Sequence, residues 1–135
     1  MNKLYEAVVT SKGGRSGKIK SNDGILDFNV EFPKEMGGKG GATNPEQLFG
    51  AAYASCFEQA LIHVADTHKI KLEGTQVTAN VSVYADELGA FSLGVRLDIK
   101  LDGCDEPDKL TKLAHAACPY SKAVKGNISV ELKLV

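Results

Sequence analysis

Two cysteines carry the chemistry this chain could do. Cys56 lies in Ala54-Ser55-Cys56-Phe57-Glu58-Gln59-Ala60-Leu61, inside a strong helical pattern, and Cys118 lies in Ala116-Ala117-Cys118-Pro119-Tyr120-Ser121, directly before a proline. Three cysteines in 135 residues, an odd number, make poor material for a static disulfide framework, so reactive or metal-binding roles gain weight. Cys56 also admits a plain reading as a small apolar residue in a tight helix contact, where free cysteine commonly sits. Cys118 is harder to explain by packing, because Pro119 disfavours helical geometry at the residue before it and leaves Cys118 at the end of an element. Together the two could form a peroxide- or disulfide-reacting pair, a metal site, or nothing beyond packing.

A reactive cysteine needs help. The thiolate is the nucleophile, an ordinary thiol near pKa ~8.5 is mostly protonated at neutral pH, and burial alone makes matters worse. Arg15, set between Gly13-Gly14 and Ser16-Gly17, is the best candidate for a cation free to reach inward, although an arginine in a turn is more commonly an exposed tip. Glu46 could fix its direction through a two-pronged pair, or could simply be a first-turn carboxylate favoured by the helix dipole. Glu46 and Cys56 are ten residues apart on one predicted helix, about 15 Å along its axis, so they cannot touch within it. Either Arg15 spans much of that gap, or Arg15 and Glu46 serve a cysteine of a second copy. The metal reading is weak: His115 precedes Cys118 by three and His63 follows Cys56 by seven, but no Cys-x-x-Cys or His-x-x-x-His pair occurs. His63 and His68 suit the carboxyl end of the helix.

The elements that must position these residues follow from periodicity. Leu4 to Thr10 reads as a strand, Lys18 to Ser21 as another, and Asn22-Asp23-Gly24 as a two-residue hairpin turn. Ile25 to Phe32 alternates, with Leu26, Phe28, Val30 and Phe32 facing a core. Pro33 to Thr43 is a loop holding Gly37, Gly38, Gly40 and Gly41, either mobile or laid along a site. Asn44-Pro45-Glu46 opens a helix to about His68 whose broad, alanine-rich apolar stripe predicts a central place and a close neighbour. Thr75 to Ala85 and Phe91 to Leu101 form a strand pair. Asp105 to Ala117 is a helix, a short helical turn ends near Gly126, and Ile128 to Val135 is a last strand. The order β-β-β-α-β-β-α-β predicts an α+β fold with antiparallel sheet.

Composition bounds the rest. The chain reads as one domain, 1–135, with an ordinary soluble composition and a net charge of −1 in which no block of like charge stands out. That argues against nucleic acid and against a polybasic membrane anchor as partners. No apolar run is long enough to span a bilayer, and the amino terminus lacks an apolar signal segment, so a cytoplasmic, reducing location is the default expectation.

Taken together, five segments resemble the organic hydroperoxide resistance (Ohr) proteins of the osmotically inducible protein C (OsmC) superfamily. They are Gly13-Gly14-Arg15-Ser16-Gly17, Lys34-Glu35-Met36-Gly37-Gly38, Thr43-Asn44-Pro45-Glu46-Gln47-Leu48-Phe49, Ala52-Tyr53-Ala54-Ser55-Cys56-Phe57, and Cys118-Pro119-Tyr120-Ser121, with Ala123 and Gly126-Asn127 beyond. Ser55 and Glu58-Gln59 stand where that family often has small or apolar residues. The resemblance implies an OsmC-like fold in an intertwined homodimer and a peroxidase acting on organic hydroperoxides. It implies Cys56 as the peroxidatic residue, Cys118 as the resolving one, and Arg15 and Glu46 completing the site. It also implies no bound cofactor and turnover by an external dithiol of the lipoyl type. Phe49, Tyr53, Phe57 and the glycine-rich loop around Gly38 would line an apolar approach suited to alkyl or fatty-acyl hydroperoxides. Cys104 has no counterpart in this scheme and reads as an exposed loop thiol. Two rival classes remain open on the residues alone: a thiol-based peroxide sensor, for which no DNA-reading helix is visible, and a small-molecule binding module with structural cysteines.

Overall fold

Turns shape the first part of the chain and packed side chains the second. The computed structural model describes residues 1–135, which fall into two compact units, Met1–Leu48 and Phe49–Val135.

In the first unit, β1 (Val9–Lys12), β2 (Lys18–Ser21) and β3 (Asp27–Asn29) form an antiparallel sheet in that order. The first strand begins later than its sequence predicts. The Val8 carbonyl still accepts the Asn22 N–H, but β2 ends at Ser21, and the exposed Leu4 and Tyr5 have no strand beside them. The expected two-residue turn is also wider. Asp23 accepts the Ile25 N–H and the Ser21 hydroxyl, and Ser21 N–H bonds the Leu26 carbonyl, so the ladder reopens only at Asp27. An aspartate side chain that mimics a backbone turn accounts for the shift. Of the four residues expected to face a core, only Val30 is buried, and Phe28 is exposed. The Pro33–Thr43 loop is ordered by its own backbone. Gly37 N–H bonds Lys34, Gly38 N–H bonds Pro33 and Gly40 N–H bonds the Phe32 carbonyl. Val30 bridges Thr43 in parallel sense.

Helix α1 (Pro45–Thr67) begins at the end of the first unit and lies mainly in the second. Its start obeys the sequence: Asn44 Oδ1 accepts the Gln47 N–H at 2.9 Å, and Pro45 occupies the first turn, where no donor is needed. Its end is closed by Ile70 N–H bonding the Ala65 carbonyl, with Lys69 left-handed at φ 56°. In the second unit β4 (Gly74–Ala85) and β5 (Phe91–Asp102) pair as a hairpin from Ala85↔Phe91 to Gly74↔Asp102. Helices α2 (Pro107–Ala117) and α3 (Pro119–Val124) follow, then β6 (Ser129–Leu134).

The α+β class holds, but the all-antiparallel expectation fails at one edge: β6 runs parallel to β5. The intervening helices return the chain to the same end of the sheet, and a strand entered by such a crossover runs alongside its neighbour instead of against it. Tyr53, Phe57 and Leu61 of α1 pack with Leu97 and Ile99 of β5 and Leu110 of α2, all with no exposed surface. Burying each large apolar side chain contributes about 1.5–3 kcal/mol. Gly50 permits the close neighbour that the alanine-rich stripe predicted, since a Cβ there would sit 3.3 Å from Val81 Cγ2 of β4.

Candidate active site

Two pairs of side chains meet, one in each unit. In the first, Arg15 sits in a short 3-10 turn, Gly14–Ser16, between β1 and β2. Gly13 enters that turn at φ 89°, a left-handed conformation costly for any other residue, and a Cβ on Gly17 would collide with the Lys12 carbonyl oxygen. These constraints hold the arginine's backbone in place. Its guanidinium donates to Glu46 through Nη1···Oε2 at 2.9 Å and Nη2···Oε1 at 2.7 Å. The Phe32 ring lies beneath it at 5.8 Å, and Ser16 Oγ donates to Glu31 at 3.1 Å. The Arg15 bond holds the Glu46 carboxyl below its usual range against the opposing effect of burial, and Glu46 in turn raises the guanidinium.

The second pair is sulfur. Cys56, half-buried on α1, and Cys118, fully buried, bring their Sγ atoms to 3.8 Å, with the Cys118 thiol directed at Cys56. Cys118 is the corner between α2 and α3. Its N–H bonds the Ala114 carbonyl at 2.8 Å, its own carbonyl accepts the Lys122 N–H at 3.0 Å, and ψ of 123° breaks the helix, as Pro119 requires. Burial pushes the Cys56 thiol above its ordinary value. The Tyr120 backbone amide opposes that rise and the Cys118 sulfur adds to it. Within its own unit, then, Cys56 has proximity to a second thiol but no cationic activation.

Beside the sulfurs runs a chain of hydrogen bonds that sequence reasoning missed. Tyr53 Oη and Ser121 Oγ lie 2.7 Å apart, and Ser121 Oγ lies 2.9 Å from His115 Nδ1. Burial raises the Tyr53 phenol, the Ser121 bond pulls it back, and Cys118 and Cys56 push it further up. His115, weighed in the sequence only as a metal ligand, is thus a partner of Ser121. The visible signal was their placement three residues either side of Cys118. Phe32, which alternation predicts to face a core, is half-buried and lies beneath Arg15.

Of the residues expected to line an approach, Tyr53 and Phe57 have no exposed surface in the chain, and half-buried Phe49 packs edge-on to Tyr53 at 6.1 Å. Gly38, in the first unit, lies so close to Phe32 that a Cβ would meet its carbonyl. Cys104, expected as an exposed loop thiol, is instead half-buried against the core of the second unit. His68 Nδ1 lies 3.2 Å from the Val64 carbonyl at the end of α1. No helix is long and apolar enough to cross a membrane.

Comparison with known proteins gives a consistent answer. The family model for OsmC-like proteins matches residues 38–133. The organic hydroperoxide resistance protein OhrA of Bacillus subtilis is 48% identical over 136 residues, covering 97% of this chain and 96% of that protein. An organic hydroperoxide resistance protein of Xanthomonas axonopodis pv. citri is 45% identical, covering 97% and 94%. Among solved structures, an organic hydroperoxide resistance protein from Legionella pneumophila superposes with a TM-score of 0.94 at 45% identity, covering 98% of each chain. With that identity sustained over nearly its whole length, this chain belongs to the OsmC-like family, among the organic hydroperoxide resistance proteins.

Proposed function

We propose that this protein is a cysteine-based peroxidase that reduces organic hydroperoxides to alcohols and thereby protects against oxidative stress. The observation that carries the reading is the 3.8 Å approach of Cys56 and Cys118, sixty-two residues apart in sequence. Relatives named for organic hydroperoxide resistance support the substrate class. In this reading Cys56 thiolate attacks the peroxide oxygen of R-O-O-H. The O–O bond breaks, alkoxide leaves and takes a proton to become alcohol, and Cys56 becomes a sulfenic acid.

Cys118 then attacks that sulfenic sulfur. A sulfur–sulfur bond forms, the sulfur–oxygen bond breaks, and hydroxide departs as water with the proton of the Cys118 thiol. The sulfurs need to close only from 3.8 Å to about 2.0 Å. Because burial disfavours the Cys56 thiolate, the reading requires a cation. Arg15, aimed by Glu46, is assigned that role and the stabilisation of the departing alkoxide. It acts on a cysteine of its own chain or of the partner in a homodimer. A lipoyl-type dithiol, carried on a protein or free, reopens the disulfide by exchange, and the enzyme works in the cytoplasm without a bound cofactor. Half-buried Phe49, backed by the fully buried Tyr53 and Phe57, is assigned the preference for alkyl and fatty-acyl peroxides over hydrogen peroxide.

The test is steady-state consumption of cumene hydroperoxide with dihydrolipoamide. Multiple turnovers are expected for the wild type and none for Cys56→Ser. A single stoichiometric reaction that stops would replace the enzyme by a sensor, and no reaction would leave a binding module. Mass spectrometry after one equivalent of peroxide should find Cys56 and Cys118 joined.

A further inference from the structure

A resolving cysteine must reach its partner before a second peroxide does. The geometry around Cys118 suggests how that race is decided. His115 and Ser121 stand three residues before and three after Cys118, on α2 and α3, and their side chains meet at 2.9 Å across the corner. Ser121 Oγ also meets Tyr53 Oη at 2.7 Å, and Tyr53 sits three residues, almost one turn, before Cys56 on α1. One hydroxyl therefore ties both arms of the Cys118 corner to the helix that carries Cys56. It is 3% exposed, and Tyr53 is fully buried, so water does not readily replace the bond between them, while the bond to half-buried His115 lies nearer the surface. A serine hydroxyl can accept one bond and donate another, so Tyr53 Oη–H donating to Ser121 Oγ and Ser121 Oγ–H donating to His115 Nδ1 satisfies all three groups, whereas the reverse order would strand the buried Tyr53 proton.

We propose that Ser121, held by His115 and Tyr53, is a positioning residue for disulfide closure: it fixes the Cys118 corner against α1 so that Cys118 captures the Cys56 sulfenic acid before further oxidation. The inference rests on the peroxidase reading above. The favoured step is Cys56–S–OH with Cys118–SH giving the disulfide and water. The competing step is Cys56–S–OH with a second R-O-O-H giving the sulfinic acid and alcohol. Ser121 takes no part in either bond change. It sets the distance, and an approach spoiled by about 1 Å costs on the order of 10²-fold in rate.

The experiment follows reduced protein after rapid mixing with cumene hydroperoxide. Quenched samples are divided by mass spectrometry into free thiols, sulfenic acid trapped as its dimedone adduct, Cys56–Cys118 disulfide and Cys56 sulfinic acid. Ser121→Ala should consume the first peroxide within about twofold of the wild-type rate. Its disulfide should close roughly 10- to 100-fold more slowly, and excess peroxide should drive Cys56 to the sulfinic state. His115→Leu should show the same divided phenotype, while His115→Asn, which keeps a hydrogen-bonding group near the Nδ1 position, should close faster than His115→Leu. The histidine variants carry the test if Ser121→Ala fails to fold.

Closure at the wild-type rate in Ser121→Ala, or equal slowing of both steps, would overturn the positioning role alone. Failure of the wild type to form the Cys56–Cys118 bond at all would overturn the peroxidase reading and this inference together.

Discussion

The two units hold their reactive groups by opposite means. In Met1–Leu48 a single apolar side chain, Val30, is buried, and the guanidinium of Arg15 is positioned by glycine-dependent turns, a carboxylate and an aromatic face. In Phe49–Val135 the sulfurs are positioned by packing: Cys118 is itself part of the buried core, and Cys56 rests against it. The difference teaches that charge can be aimed from a thin, hydrogen-bonded frame, because an ion pair tolerates modest motion. A covalent bond between two sulfurs tolerates very little, and it is housed where displacement creates voids.

The largest expected effect lies in the second unit. Joining Cys56 to Cys118 would close a loop of sixty-two residues within that unit, raising its stability by up to about 4 kcal/mol on chain-entropy grounds. The midpoint of urea unfolding, compared between reduced and peroxide-oxidised protein, checks this. Equal midpoints would mean that the native state absorbs the gain as strain. Next comes Leu97→Ala, which should cost about 2–5 kcal/mol because the residue is fully buried on β5 among side chains from two helices.

A smaller effect should mark the first unit. Gly17→Ala forces a Cβ against the Lys12 carbonyl and should cost about 1–3 kcal/mol. Peroxidase rate should fall with it while chemical oxidation still joins the two cysteines. If that crosslink also fails, the contrast between the units is wrong. Smallest is Glu46→Gln. Arg15 and Glu46 side chains are 35% and 13% exposed, so their pair is worth about 1 kcal/mol or less. Its sign with pH is fixed: Glu46 is depressed by Arg15 in the folded state. The stability it adds is present above the carboxyl's unfolded value near ~4.3 and is lost as pH falls through the lower folded one. Wild type and Glu46→Gln should differ at pH 7 and converge in acid.

What the sequence disclosed follows the same division. Wherever a segment's fate depends on its own residues, the pattern was readable. Asn44-Pro45 opens α1, Pro119 breaks the chain at Cys118, and the strand pair Thr75 to Ala85 and Phe91 to Leu101 becomes the long hairpin. Where fate depends on a partner, it was not. Alternation placed Phe28 on a core-facing side, but the first unit has no layer to cover it; period reports a face and not what lies opposite. Leu4 and Tyr5 have strand propensity without a neighbouring strand. The parallel pairing of β6 is set by the path of two helices and leaves no mark in Ser129–Leu134. Arg15 could be matched to Glu46 because a cation on a glycine turn and a first-turn carboxylate each lack a local partner. The Tyr53–Ser121–His115 chain could not, since it exists only once the corner at Cys118 has folded.

That corner has one more consequence. Both peptide groups of Cys118 are already spent, its N–H on Ala114 and its carbonyl on Lys122, so its main chain has little liberty to wander during the reaction. Rotation about χ1 is then the cheapest way to bring sulfur to sulfur. The hydrogen bonds made by the Cys118 and Lys122 amides should accordingly be found by NMR in both reduced and oxidised protein, a redox cycle felt by side chains and scarcely by the backbone that bears them.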